Sequence, residues 1–161
     1  MTPGPDDRPL LFLDVDGPLI PFRGRATGQA LAGPGAGNPL LDRLDPADGR
    51  RLSGLGCQLV WATTWMADAN EVIAPRLGLP ELPVVEFPDD DPPGFGLHWK
   101  TRFLARWAGG RPFIWLDDEI SPADRLWIRA NYQGRALVHR VDPFAGLTEA
   151  DFALIRRWLV S

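Results

Sequence analysis

Five short apolar runs, each closed by turn or polar residues, alternate along the chain with longer stretches whose apolar positions recur at helical spacing. The first run, Leu10-Leu11-Phe12-Leu13-Asp14-Val15-Asp16, is nearly continuous Leu, Phe and Val until two aspartates and a Gly17-Pro18 turn stop it. That is the pattern of a parallel strand buried on both faces. A second such strand is expected over 58–64, ending in Thr63-Thr64. Residues 82–87 predict a short third strand, which Pro83 places at an edge. Two more are expected at 111–116 and 135–141. Between them, residues 40–55 form a weakly periodic helix on Leu41, Leu44, Leu52 and Leu55, divided at Asp45-Pro46 or Gly49. A helix over 67–77 carries Pro75 as a kink or early stop. One over 97–108 sets Lys100, Phe103, Leu104 and Trp107 on one face. Ser121-Pro122-Ala123-Asp124 reads as a capping box opening a helix with Ala123, Leu126, Trp127 and Ala130 inward. Thr148 to Asp151 caps a last helix bearing Phe152, Ile155 and Leu159. No internal repeat interrupts the alternation. It predicts an α/β fold, a Rossmann-like doubly wound sheet of about five parallel strands flanked by helices. Right-handed crossovers then bring every strand's carboxyl end to one edge, where such sheets bind ligands.

Composition narrows the class. A chain of 161 residues, 45% hydrophobic and 24% charged, is expected to be one ordinary globular domain over 10–161, after a loose segment at 1–9. Within it, Gly and Pro crowd residues 17–39 into an irregular lobe or flap. The net charge of −4 argues against nucleic acid or an anionic membrane as partner. With one cysteine, Cys57, neither a disulfide framework nor a thiolate zinc cluster forms within the chain, and a small buried thiol is expected there. The N-terminus lacks a charged-then-apolar leader pattern and no run reaches membrane-spanning length, so a cytoplasmic protein is expected.

The chemistry gathers at strand ends. Asp14 and Asp16 alternate with Val15, so both carboxylates leave one face. Anions that close repel unless a cation lies between them or one holds a proton. The same edge would receive Thr63 or Thr64 from the second strand and Asp117-Asp118 from the fourth. Lys100 joins them from a helix start, where the dipole opposes a cation and an apolar face makes an unpaired ammonium costly. Carboxylates or a phosphate nearby would relieve both. Other groups speak less clearly. Asp89, Asp90 and Asp91 read as a solvated acidic loop or a metal site, and Arg23 and Arg25 as loop charges or contacts to an anionic substrate. His98 packs at a helix start or lines the site, while His139 stands alone. Trp61, Trp107, Trp115, Trp127 and Trp158 fall on core positions, but Trp65 and Trp99 flank the Thr and Lys motifs and could form a wall for an aromatic base.

In the order of these motifs (Asp-Val-Asp-Gly, then Thr, then Lys, then Asp-Asp) the chain resembles the haloacid dehalogenase (HAD) superfamily of phosphotransferases, of a minimal-cap type. Two-component receivers share the residue types, but their Lys comes last. The resemblance implies that Asp14 is the nucleophile, forming an aspartyl-phosphate, and Asp16 the general acid and then base. It further implies that Thr63, or failing it Thr64, donates to the phosphoryl group and that Lys100 bridges phosphate and nucleophile. Mg²⁺ would be held by Asp14, the Asp16 backbone carbonyl and Asp117 or Asp118. Asp16 marks a phosphatase and not a dehalogenase. Pro18 replaces the family's usual Thr, although Gly17-Pro18 is itself a good turn. The intervals from Asp14 to Thr63 and from Thr64 to Lys100 leave no room for a large cap. By resemblance, such open sites accept phosphorylated small molecules or macromolecules. The expected activity is a Mg²⁺-dependent phosphomonoesterase. Its alternatives are a non-catalytic phosphate- or partner-binding domain and a nucleic-acid end-processing phosphatase; the acidic charge argues against the latter, which a basic strip built from Arg23, Arg25, Arg102 and Arg106 would revive.

Overall fold

The computed structural model describes residues 8–22, 39–87 and 97–161. The acidic loop at 89–91, Arg23, Arg25 and most of the Gly/Pro lobe lie outside them. Four strands form the sheet: β1 (Leu10–Leu13), β2 (Gln58–Trp61), β3 (Phe113–Asp117) and β4 (Ala136–Arg140). All pairs are parallel, in the order β2-β1-β3-β4. The apolar runs of β1 and β3 therefore fill the centre, and every residue of both is buried.

Alternation along the strands builds two cores. Leu11, Leu13, Leu59, Trp61, Ile114 and Leu116 face one layer, made by α1 (Pro46–Ser53), a π-helical turn (Ala69–Ile73) running into α2 (Ala74–Leu77), and α5 (Glu149–Leu159). Leu10, Phe12, Val60, Phe113 and Trp115 face the other, made by α3 (Thr101–Ala108) and α4 (Pro122–Asn131). Helices thus cover both faces, as a doubly wound sheet requires. Asp45 caps α1 through the Ala47 N–H, with Pro46 at the first helical position, so the expected long helix at 40–55 is split there, after a 3-10 turn at Pro39–Arg43. Cys57 is buried, and burial pushes its thiol up to about 11, so it is an inert core group. No helix among the described residues is long and apolar enough to cross a membrane.

Three expectations are corrected. The sheet has four strands, not five: the run at 82–87 contributes a single bridge, Val84 beside Trp61. Pro83 has no N–H to donate, and the Asn70 side-chain amide takes both the N–H and the carbonyl of Leu82. The inward face of α4 is Asp124 and Ile128, while Leu126 is 62% exposed. A buried aspartate at a cap lies outside any count of apolar positions. Finally, α3 begins at Thr101, so Lys100 occupies its N-cap instead of its first turn, and Trp107 is 40% exposed.

Candidate active site

The carboxyl ends of β1, β2 and β3 meet around a cavity of about 200 Å³. Asp14, Asp16, Thr64, Lys100 and Asp118 border it, together with Phe22, His98, Trp99 and Glu119. Larger hollows exist, among them one of about 430 Å³ between α4 and β4 and one of about 520 Å³ between α1 and α2. Neither gathers convergent carboxylates, so chemistry and not volume singles out the smaller one.

Lys100 is the keystone. The residue is 3% exposed, and its ammonium lies 3.2 Å from Asp14 Oδ1 and 2.8 Å from Asp117 Oδ2 and donates to the Ala62 carbonyl at 2.9 Å. Burial disfavours this charge, yet Asp14 and Asp117 outweigh burial and hold the lysine protonated above its ordinary range. Asp117 is 1% exposed, and its other oxygen accepts the Glu119 N–H. Gly17 (φ 100°) closes the turn after β1 by donating to the Ile20 carbonyl. A Cβ there would sit 2.7 Å from the Asp118 carboxyl carbon, so only glycine lets Asp118 approach β1. Pro18 does not break this turn.

Asp14, Asp117 and Asp118 each offer an oxygen, and these atoms lie within 4.8 Å of one another. Burial, followed by the Asp117 charge, pushes Asp14 up to about 8 against the pull of Lys100. Burial and Asp117 likewise push Asp118 up to about 6. One ammonium therefore does not neutralise the cluster near neutral pH. An all-oxygen donor set short of positive charge fits a hard divalent cation. Such an ion must displace the Asp14 proton, so its affinity is expected to rise about tenfold per pH unit between about pH 6, above which Asp118 is ionised, and about pH 8, and then level off. Titration calorimetry with Mg²⁺ at several pH values checks this, and pH-independent binding would contradict it.

The remaining predicted residues divide. Asp16 is exposed and outside the carboxylate triad, and its Oδ2 accepts the Trp65 indole N–H at 3.1 Å. Thr63 is wholly buried, its hydroxyl accepting the Trp65 backbone N–H, whereas Thr64 is exposed at the cavity wall. Of the two tryptophans expected as a wall, Trp99 borders the cavity, stacked on His98 at 5.7 Å. His98 accepts the Lys100 N–H on Nδ1 and pairs Nε2 with Glu119 at 3.1 Å, which fixes the tautomer with hydrogen on Nε2. His139 is elsewhere, paired with Asp151 between β4 and α5.

Asp124 was legible only as a cap, yet it also braces the lysine. One carboxylate oxygen accepts the His98 N–H (2.8 Å) and the Thr101 hydroxyl (2.7 Å), bracketing Lys100, while the other accepts from Ser121. Burial raises this carboxyl, but the hydrogen bonds from Thr101, Ser121 and His98 win and hold it below the usual range. Its stabilisation is therefore present above the unfolded pKa of about 4 and lost as pH falls through the lower folded value. Asp124→Ala should cost about 3 kcal/mol at pH 7 and less below pH 4, by urea unfolding. A deficit that does not change with pH would contradict this.

No curated protein and no solved structure matches the chain. One family model does, over residues 10–152, from the first strand into the last helix. By that match the chain belongs to the family described as the HAD domain in Swiss Army Knife RNA repair proteins.

Proposed function

We propose that the protein is a divalent-metal-dependent phosphomonoesterase that forms an aspartyl-phosphate, with phosphorylated RNA ends as its substrate class. Family membership supports a hydrolase of phosphatase type. The observation that carries the finer reading is the buried Lys100 ammonium shared by Asp14 and Asp117 at the floor of a carboxylate-lined cavity. A lysine so placed holds the nucleophile's charge and can pair with an incoming phosphoryl oxygen. Asp14 attacks phosphorus in line, and Asp16 gives its proton to the departing oxygen. Asp16 then takes a proton from water, which attacks the phosphorus and releases phosphate and free Asp14. Thr64, on the cavity wall, is assigned the hydroxyl donor to the phosphoryl group, and Thr63 the buttress of the turn beneath it. Asp14 and Asp118 would hold the cation, which offsets repulsion between nucleophile and phosphate when bound. Asp117, with both oxygens engaged by Lys100 and Glu119, keeps the lysine in place.

Of the small-molecule and macromolecular phosphoesters the sequence left open, RNA ends, there only an alternative, are preferred because of the family's description and the aromatic lining of the cavity. A space of about 200 Å³ admits a terminal phosphate but no nucleotide, so the leaving group lies outside. Trp99 and Phe22, the latter 53% exposed, offer it aromatic surface there. The acidic net charge argues against long backbone tracking, not against reading one end.

Phosphate release from 5′- and 3′-phosphorylated oligoribonucleotides and from an aryl phosphate, with Mg²⁺ or EDTA, tests the proposal. Mg²⁺-dependent release with a higher kcat/KM on one RNA end is expected. Aryl phosphate turnover without any on RNA would remove the substrate assignment. Mg²⁺ and RNA binding without turnover would favour a non-catalytic binding domain.

A further inference from the structure

Asp16 is the exposed member of the site, and an exposed carboxylate at a strand end has several rotamers to lose before it can deliver a proton in line. One contact singles out an orientation. The Trp65 indole N–H donates to Asp16 Oδ2 at 3.1 Å, tying the end of β1 to the turn after β2 across 49 residues of sequence. Asp16 itself borders the cavity. Trp65 is suited to the task because its ring is anchored. It is half-buried and packs against the first core, while its indole N–H reaches Asp16. It does not border the cavity itself.

The turn that presents it is built for the purpose. Thr63 Oγ accepts the Trp65 N–H at 3.2 Å, the Thr63 carbonyl accepts the Met66 N–H at 3.1 Å, and the Trp65 carbonyl accepts the Asp68 N–H at 3.1 Å. Met66 has φ 53°, the left-handed region, and no other non-glycine among the described residues has a positive φ. A side chain forced there marks a backbone that its surroundings over-determine. That strain lies one residue beyond the indole.

We infer that Trp65 is a positioning residue for Asp16: its N–H fixes the carboxylate that exchanges protons with the leaving group and with water. This rests on the reading of Asp16 as general acid and base. Trp65→Phe deletes the N–H and keeps most of the ring. On an alkyl phosphomonoester, whose leaving oxygen needs a proton, kcat should fall about tenfold with KM unchanged. On p-nitrophenyl phosphate, whose phenolate leaves unaided, the first-turnover burst of nitrophenol should match the wild type, while the steady-state rate falls because water activation still needs Asp16.

Asp16→Asn is the reference. If it turns over alkyl esters like the wild type, the assignment of Asp16 fails and this inference with it. If Asp16→Asn is inactive but Trp65→Phe keeps wild-type kcat, the inference alone is overturned. An equal loss in burst and alkyl turnover would overturn it too, by marking Trp65 as merely structural. A readout without turnover accompanies these: of the seven tryptophans, the one whose indole N–H resonance vanishes in Trp65→Phe should shift in Asp16→Asn. An unmoved resonance overturns the contact itself.

Discussion

Asp14→Asn is expected to lower turnover on the order of 10⁴-fold or more while leaving the metal-free protein as stable as the wild type, or more so. The amide keeps the shape of the side chain and can still meet Lys100, but it cannot attack phosphorus. The stability half follows from the site's electrostatics. Asp14 is 7% exposed, and burial beside Asp117 pushes its carboxyl up to about 8. A carboxyl whose folded pKa lies above its unfolded value favours the native state at low pH and gives that up as pH rises from about 4 to about 8. Asparagine never ionises and escapes this loss. In EDTA at pH 8 the variant should therefore melt at or above the wild-type temperature. Added Mg²⁺, which stabilises the wild type by binding its folded state, should stabilise the variant less, since one ligand is gone. Phosphate-release kinetics and thermal melts with and without Mg²⁺ check both halves. Surviving turnover would remove Asp14 as nucleophile, and a collapse of stability in EDTA would show that its charge supports the fold.

How much of this was written in the sequence depends on which interaction decides each element. β1, β2 and β3 were legible because strands buried on two faces need continuous apolar runs. The site's floor was legible for a related reason: Asp14, Asp117 and Lys100 stand where apolar elements end, so their polarity interrupts a strong pattern. Failures came where a side chain took over backbone hydrogen bonds. The Asn70 amide occupies Leu82 and reduces an apparent strand to one bridge. Asp124, fully buried by its hydrogen bonds to two helix starts, turns α4 onto a face that apolar counting does not choose. The choice between Thr63 and Thr64 was open because one residue at a strand end reverses the direction of the side chain. Trp65 was read as a wall for an aromatic base, whereas its contact in the structure is one N–H to Asp16, invisible to any hydropathy pattern.

Lys100→Met separates the lysine's charge from its volume. Methionine fills much of the same space, so the packing cost is small. The electrostatic cost is large: Asp14 and Asp117 lose the only ammonium within ion-pair distance among the described residues, and the Ala62 carbonyl loses its donor. Removing one partner of a buried ion pair destabilises by about 3–5 kcal/mol, because a charge is left uncompensated. Here the penalty has a pH signature. Asp14, whose carboxyl lies at about 8 with the lysine present, is pushed further up without it, so the variant still has to hold this proton at pH values where the wild type has released it. Its deficit should be nearly constant below pH 7 and about 1 kcal/mol larger at pH 9 than at pH 6, by urea unfolding in EDTA. A divalent cation supplies the missing positive charge between the same carboxylates, so Mg²⁺ should recover much of the stability at pH 8. It should not recover turnover, because the ammonium also has to meet the phosphoryl group in the transition state, and kcat is expected to stay at least about 100-fold down. A deficit equal at pH 6 and pH 9 and unmoved by Mg²⁺ would mean that Lys100 acts through packing alone. Recovery of stability together with turnover would mean that the cation, and not the lysine, stabilises the charge that develops on the phosphoryl group.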